Sequence, residues 1–94
     1  MQHVQLDKIL YIQSLGNYVK IFMDKKNHLV QVTTKELEDI LPKNIFLRIH
    51  KSFIVNRSYV TRITDEEILL GETTLPIGKT FKKYVKETLA TSFR

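Results

Sequence analysis

The 94-residue chain has no cysteine and no tryptophan, only two prolines and three glycines, and no long apolar run. Each absence removes a class of protein. Without cysteine there is no disulfide framework, no thiol nucleophile and no thiolate zinc site. His3, His28 and His50 are scattered, with no pair at helical ligand spacing, so neither a metal nor any other cofactor is expected. No stretch approaches the roughly 18 apolar residues that cross a bilayer as a helix, and no cationic-then-apolar leader opens the chain. These features point to a cytoplasmic protein without membrane contact. No repeat, low-complexity tract or Pro/Gly/Ser-rich linker divides the sequence, which predicts a single domain over residues 1–94.

What the chain does have is positive charge. Fifteen Lys and Arg stand against ten Asp and Glu, a net charge of +5, which favours a polyanionic partner without choosing one. The surplus is uneven. Residues 1–47 carry six cationic and five acidic side chains, whereas residues 48–94 carry nine and five.

Short runs of β-branched and aromatic residues separated by polar turns predict many strands. Val4–Leu6 and Ile9–Ile12 come first; Gly16-Asn17 then interrupts before Tyr18–Met23, and the polar tip Asp24–Asn27 leads into His28–Val32 as a hairpin. Thr33-x-x-Glu36 fits a capping box for a short helix with Leu37, Ile40 and Leu41 on its apolar face, ended by Pro42. Phe46 to Val55 nearly alternates, Asn56–Ser58 reads as a turn, and three extended segments follow: Tyr59–Ile63, Ile68–Leu70 and Thr73–Ile77. From about Lys79 to Leu89 the period changes. Phe81, Tyr84, Val85 and Thr88 fall on one side of a helix, with Lys79, Lys82, Lys83 and Lys86 opposite.

No catalytic constellation is visible: the serines lack a nucleophile-elbow context and the carboxylates sit in turns or on a helix surface, so no catalytic residue is assigned. The richest segment is Phe46–Asn56. It sets Arg48, His50, Lys51, Ser52 and Asn56, all donors suited to phosphates or base edges, among apolar residues that pin the backbone. Residue type alone favours core or turn roles for Phe53, Ile54, Val55 and Asn56, and leaves Lys51 evenly divided between contact and plain surface. For the lysine stripe, phosphate contact fits better than membrane attachment, because the opposite side is short and needed for packing. Tyr11, Tyr18, Phe22, Tyr59 and Phe81 fall in core patterns rather than on a stacking platform, unless two of them share an exposed sheet face.

Several segments together resemble the LytTR DNA-binding domains of bacterial transcription regulators. They are Ile9–Ile12 with Gly16–Val19, Thr34–Glu38, the segment Phe46–Asn56 with its central run Arg48-Ile49-His50-Lys51-Ser52-Phe53-Ile54-Val55-Asn56, and Leu75–Lys79. The resemblance spans nearly the whole chain. It implies a mostly β fold of elongated antiparallel sheets with two short helices, the last one C-terminal, which presents loops to successive major grooves. It implies base contacts from Asn17, chosen over its neighbour Tyr18, from Lys51 and from Lys79. Phosphate contacts would come from Arg48, His50, Ser52 and Lys82, with Lys20, Lys83 and Asn56 completing the set. Two positions depart from the family pattern: Lys79 where Arg is common, a point charge in place of a bidentate fork, and Gly78 where Ser is common.

By the same resemblance the partner is double-stranded DNA at direct-repeat promoter sites, and the chain is the output domain of a two-component response regulator. The receiver or sensor module lies outside this chain, and the isolated domain is expected to be a monomer that pairs on DNA. A rival from another class is a basic protein-interaction module that uses exposed strand edges.

Overall fold

Leucine, isoleucine, valine and phenylalanine fill the extended segments of this chain, and a short helix or strand built from them must bury its apolar side against another element. The computed structural model describes residues 5–90. Its strands are β1 (Ile9–Ser14), β2 (Val19–Met23), β3 (Asn27–Val30), β4 (Phe46–His50), β5 (Phe53–Asn56), β6 (Arg62–Ile63), β7 (Glu67–Leu70) and β8 (Thr73–Pro76). The helices are α1 (Thr34–Ile40) and α2 (Lys82–Ala90). All strand pairs are antiparallel, in a five-stranded sheet of order β3-β2-β1-β5-β4 and a three-stranded sheet β6-β7-β8. With extents of 39 × 25 × 22 Å the protein is elongated, and the expected fold class holds.

The larger sheet is covered on both faces. One face packs Ile9, Ile12, Val19, Ile21, Phe46 and Ile54 against Leu37 and Leu41 of the α1 region. The other joins Leu47, Ile49 and Val55 to Ile68, Leu70 and Leu75 of the smaller sheet and to Val85 and Leu89 of α2. Because β4 and β5 serve both clusters, Phe46, Leu47, Ile49, Ile54 and Val55 are all buried. The smaller sheet and α2 thus reach the larger sheet through that strand pair, and their end contacts decide where loops converge.

Several details differ from the sequence expectations. Leu6 lies in a 3-10 turn (Leu6–Lys8), closed by Lys8 N donating to Gln5 O, and not in a strand; Val4 falls outside the described residues. Tyr59 likewise belongs to a 3-10 turn (Arg57–Tyr59) rather than to an extended segment. The Phe46–Val55 run is a hairpin, β4 and β5 around Lys51-Ser52, and Asn56 is still part of β5. Ile40 is 74% exposed, not on the buried face, because α1 ends there and Leu41, in extended backbone, turns back into the core. The C-terminal helix begins with a 3-10 turn (Lys79–Phe81) before α2.

Candidate nucleic-acid interface

Three turns lie side by side at one end of the larger sheet. The first joins β1 to β2: Leu15 N donates to Tyr18 O at 2.8 Å, and Gly16 takes φ +80°, a left-handed conformation that glycine adopts without strain. Asn17 is exposed at its tip. Ser14 N then donates to Ser52 O at 2.8 Å, tying this turn to the β4–β5 turn that carries exposed Lys51. On the far side Gly78 N donates to Ile49 O at 2.7 Å, which docks the start of the C-terminal helical segment on the same turn and places exposed Lys79 next in line.

The β4–β5 turn has no glycine, proline or asparagine; side chains hold it instead. His50 Nδ1 accepts from Ser52 N at 3.0 Å, which leaves the ring proton on Nε2. Arg48 donates from Nε to His50 O at 3.2 Å and from Nη2 to Lys51 O at 2.7 Å. Its Nη1 meets Glu38 Oε1 at 3.0 Å. Arg48 and His50 are therefore half-buried turn locks rather than a solvated strand face.

Gly78 has a specific reason to be glycine. A Cβ there would stand 2.9 Å from Phe81 Cδ2 and 3.3 Å from the His50 Cα, so a side chain at this position would displace the Phe81 ring and press on the β4–β5 turn. In place of a side chain at position 78, the ring of Phe81 fills the space.

Asn56 must be withdrawn from the phosphate set. It is 1% exposed, its Nδ2 donates to Ile9 O at 2.9 Å and its Oδ1 accepts from Ser58 N at 2.9 Å. Both ends of the amide are satisfied inside the fold, so it cannot turn to a ligand without leaving buried partners unpaired. Lys82 stays in the set but already meets an acid: its Nζ lies 2.7 Å from Glu66 Oε1, and Lys86 Nζ lies 2.7 Å from Asp65 Oδ1. The hydrogen bond from Lys86, reinforced by its charge, holds the Asp65 carboxyl below its ordinary pKa. Asp65 and Glu66, in the acidic turn between β6 and β7, are thus the counter-charge of two lysines of the helix stripe. Lys83 remains exposed on α2.

Lys20 lies on the same sheet face as Phe22, with its Nζ 5.2 Å from the ring centroid. Phe22 stacks on Tyr11 at 4.3 Å, and Tyr11 in turn packs against the core shared with Phe53. These two rings do share a sheet face, but each is half-buried against the other, so packing is what they do. Partial burial raises the Tyr11 phenol above its ordinary pKa.

With this geometry in view, the comparisons are specific. Residues 1–90 match the model of the LytTr DNA-binding domain. The chain belongs to the LytTR family. It is 30% identical over 80 residues to the sensory transduction protein LytT of Enterococcus faecalis, covering 79% of this chain and 33% of that protein. LytT of Bacillus subtilis is 27% identical over 92 residues, covering 92% and 38%. The heme-containing CO-sensing transcriptional regulator RcoM 2 of Paraburkholderia xenovorans is 27% identical over 93 residues, covering 92% and 35%. Among solved structures, the LytTr DNA-binding domain of a Bacillus cereus response regulator superposes with a TM-score of 0.81 at 25% identity, covering 92% of this chain and 84% of that one. The chain spans about a third of the length of the curated relatives it matches.

LytTR is a family of DNA-binding domains and not a catalytic one. Among the described residues no cluster of His, Asp and Glu could hold a metal ion, and no helix is long and apolar enough to cross a membrane. The sequence did not reveal Glu38, Phe81 or the acidic turn as parts of the site. Glu38 meets Arg48 and Glu66 meets Lys82 across tertiary contacts that no local spacing encodes.

Proposed function

We propose that this LytTR domain binds duplex DNA sequence-specifically as the output of a bacterial transcription regulator, reading major grooves with its three adjoining turns. The observation that carries this is the row Gly16-Asn17, Lys51-Ser52 and Gly78-Lys79, stitched together by main-chain hydrogen bonds, with Asn17, Lys51 and Lys79 exposed at its rim. Donors on rigid turns lose little freedom when they meet a base edge. Lysines around the row, with His50 and Ser52 beside it, serve phosphates, whose contacts supply affinity and carry no sequence information. Lys82 does so in competition with Glu66, which already takes one of its three N–H donors.

In this reading the regulator is cytoplasmic and belongs to a two-component system. It occupies direct-repeat promoter sites in pairs, through a sensor or receiver module outside this chain, while the isolated domain is a monomer. Selection of bound oligonucleotides from a random pool, followed by anisotropy titrations of the winning site and a scrambled duplex, tests it. Lys51→Ala should cost about 1–3 kcal/mol on the selected site and little on the scrambled one. Equal loss on both would remove Lys51 from base reading.

The edge-strand alternative has one observation of its own. β3 lies at the sheet edge with Leu29 64% and Val30 37% exposed. A stable protein complex through β3, with no salt-sensitive duplex binding at low ionic strength, would favour it.

A further inference from the structure

The residues around Lys51 show how its direction is set. An arginine side chain offers five N–H donors in a rigid planar fork. Arg48 sends Nε to His50 O at 3.2 Å and Nη2 to Lys51 O at 2.7 Å. Those two carbonyls belong to the peptide groups on either side of the Lys51 Cα. Pinning both fixes the backbone dihedrals of Lys51 and therefore the direction of its Cα–Cβ bond. From the opposite side, Glu38 of α1 clamps Nη1 at 3.0 Å, and the Phe81 ring stands 5.7 Å from the guanidinium carbon. Phe81 closes the turn that starts at Lys79, since its N–H donates to Gly78 O at 2.8 Å. The Arg48 side chain is only 21% exposed. One guanidinium thus joins α1, the Lys51 turn and the Lys79 turn.

We infer that Arg48 is a positioning residue: it orients Lys51 and couples that turn to the Lys79 turn, and it does not itself hold a phosphate. This rests on the proposed reading of DNA by Lys51 and Lys79. A phosphate donor needs charge at the surface and tolerates lysine. A brace needs the fork, because an ammonium is a single flexible point that cannot span two carbonyls and a carboxylate in one geometry.

Arg48→Lys separates the two roles, with Glu38→Gln as a second variant at a half-exposed position that leaves the fold intact. Each is titrated by anisotropy against the selected site and a scrambled duplex over a range of salt, and its thermal unfolding is recorded. Arg48→Lys should leave scrambled-duplex affinity and the salt slope as in the parent, while preference for the selected site falls by about tenfold, the loss of one oriented base contact. Glu38→Gln should lower preference in the same direction. Three results overturn the inference: an unchanged preference ratio in both variants, equal weakening on both duplexes, or a steeper salt dependence of scrambled-duplex binding by Glu38→Gln, as a newly engaged phosphate donor would give. Amide exchange in the free domain is read alongside, where Arg48→Lys should raise exchange at Ser52. If the parent binds no duplex, the proposed function falls, and exchange alone decides the brace. Unchanged exchange at Ser52 then refutes it.

Discussion

At the scale of single residues, side-chain type is a poor guide to what a donor binds, and burial decides. Arg48, His50, Ser52 and Asn56 form a run rich in DNA-contacting types, yet the structure divides them sharply. Asn56 is an internal strut between β1 and the turn after β5, which its placement among Phe53, Ile54 and Val55 already favoured. Replacing it by Ala takes this partner from the buried Ile9 carbonyl, a loss of about 1–3 kcal/mol, and uncaps the part-buried Ser58 amide at a smaller cost. Asn56→Ala should lower the unfolding midpoint in a denaturant titration and leave the salt slope of DNA binding unchanged. A reduced slope at intact stability would return Asn56 to the phosphate set. The limits of legibility at this scale are physical. Arg48 could be recognised as chemically important from its neighbours, but its bonds to His50 O and Lys51 O depend on where the hairpin turns, and its contacts with Glu38 and Phe81 on how α1 and the C-terminal turn pack.

At the scale of elements, local chemistry was readable wherever it was self-contained. The capping box is the clearest instance: Thr33 Oγ1 accepts from Glu36 N at 3.1 Å, and Thr33 N donates back to Glu36 Oε1 at 3.2 Å. The β1–β2 and β2–β3 turns were equally legible because Gly16-Asn17 and the polar Asp24–Lys26 interrupt the apolar runs, although Asn27, read as part of the tip, already belongs to β3. The β4–β5 turn was not, since His50 and Arg48 build it from side-chain bonds where turn-forming residues are lacking. The cap also carries a pH dependence. The Thr33 hydroxyl, with the Thr33 backbone N–H, holds the Glu36 carboxyl below its ordinary value of 4.5, so it binds protons less readily folded than unfolded. Its stabilisation is complete above that value and is lost as pH falls through the lower folded one. Between about pH 5 and pH 3, wild-type stability should fall more steeply than that of Glu36→Gln, as measured by thermal unfolding at fixed ionic strength. Parallel curves would show that the carboxylate contributes nothing through the cap. Thr33→Ala should cost about 1 kcal/mol at neutral pH.

For the molecule as a whole, net charge indicates a polyanion but overstates how much positive surface is available to it. The chain carries +5, with the surplus after residue 47, yet Asp65 and Glu66 meet Lys86 and Lys82 at 2.7 Å each. These exposed pairs are individually weak for stability. Their consequence lies in the field: two of the four lysines on the C-terminal stripe face local counter-charge, while Lys79 and Lys83 of that stripe and Lys51 of the β4–β5 turn are exposed. The acidic turn acts as a built-in competitor for any phosphate that approaches α2. Replacing Asp65 by Asn and Glu66 by Gln removes two negative charges, raises the net charge from +5 to +7, and frees both ammonium groups. If DNA lies against that side of α2, affinity should rise on selected and scrambled duplexes alike, with a steeper dependence on salt, because each released lysine that meets a phosphate displaces a further counterion. The ratio of the two affinities should stay constant, since phosphate contacts carry no sequence information. An unchanged slope would confine the DNA to the three turns and leave the lysine stripe a structural partner of the smaller sheet.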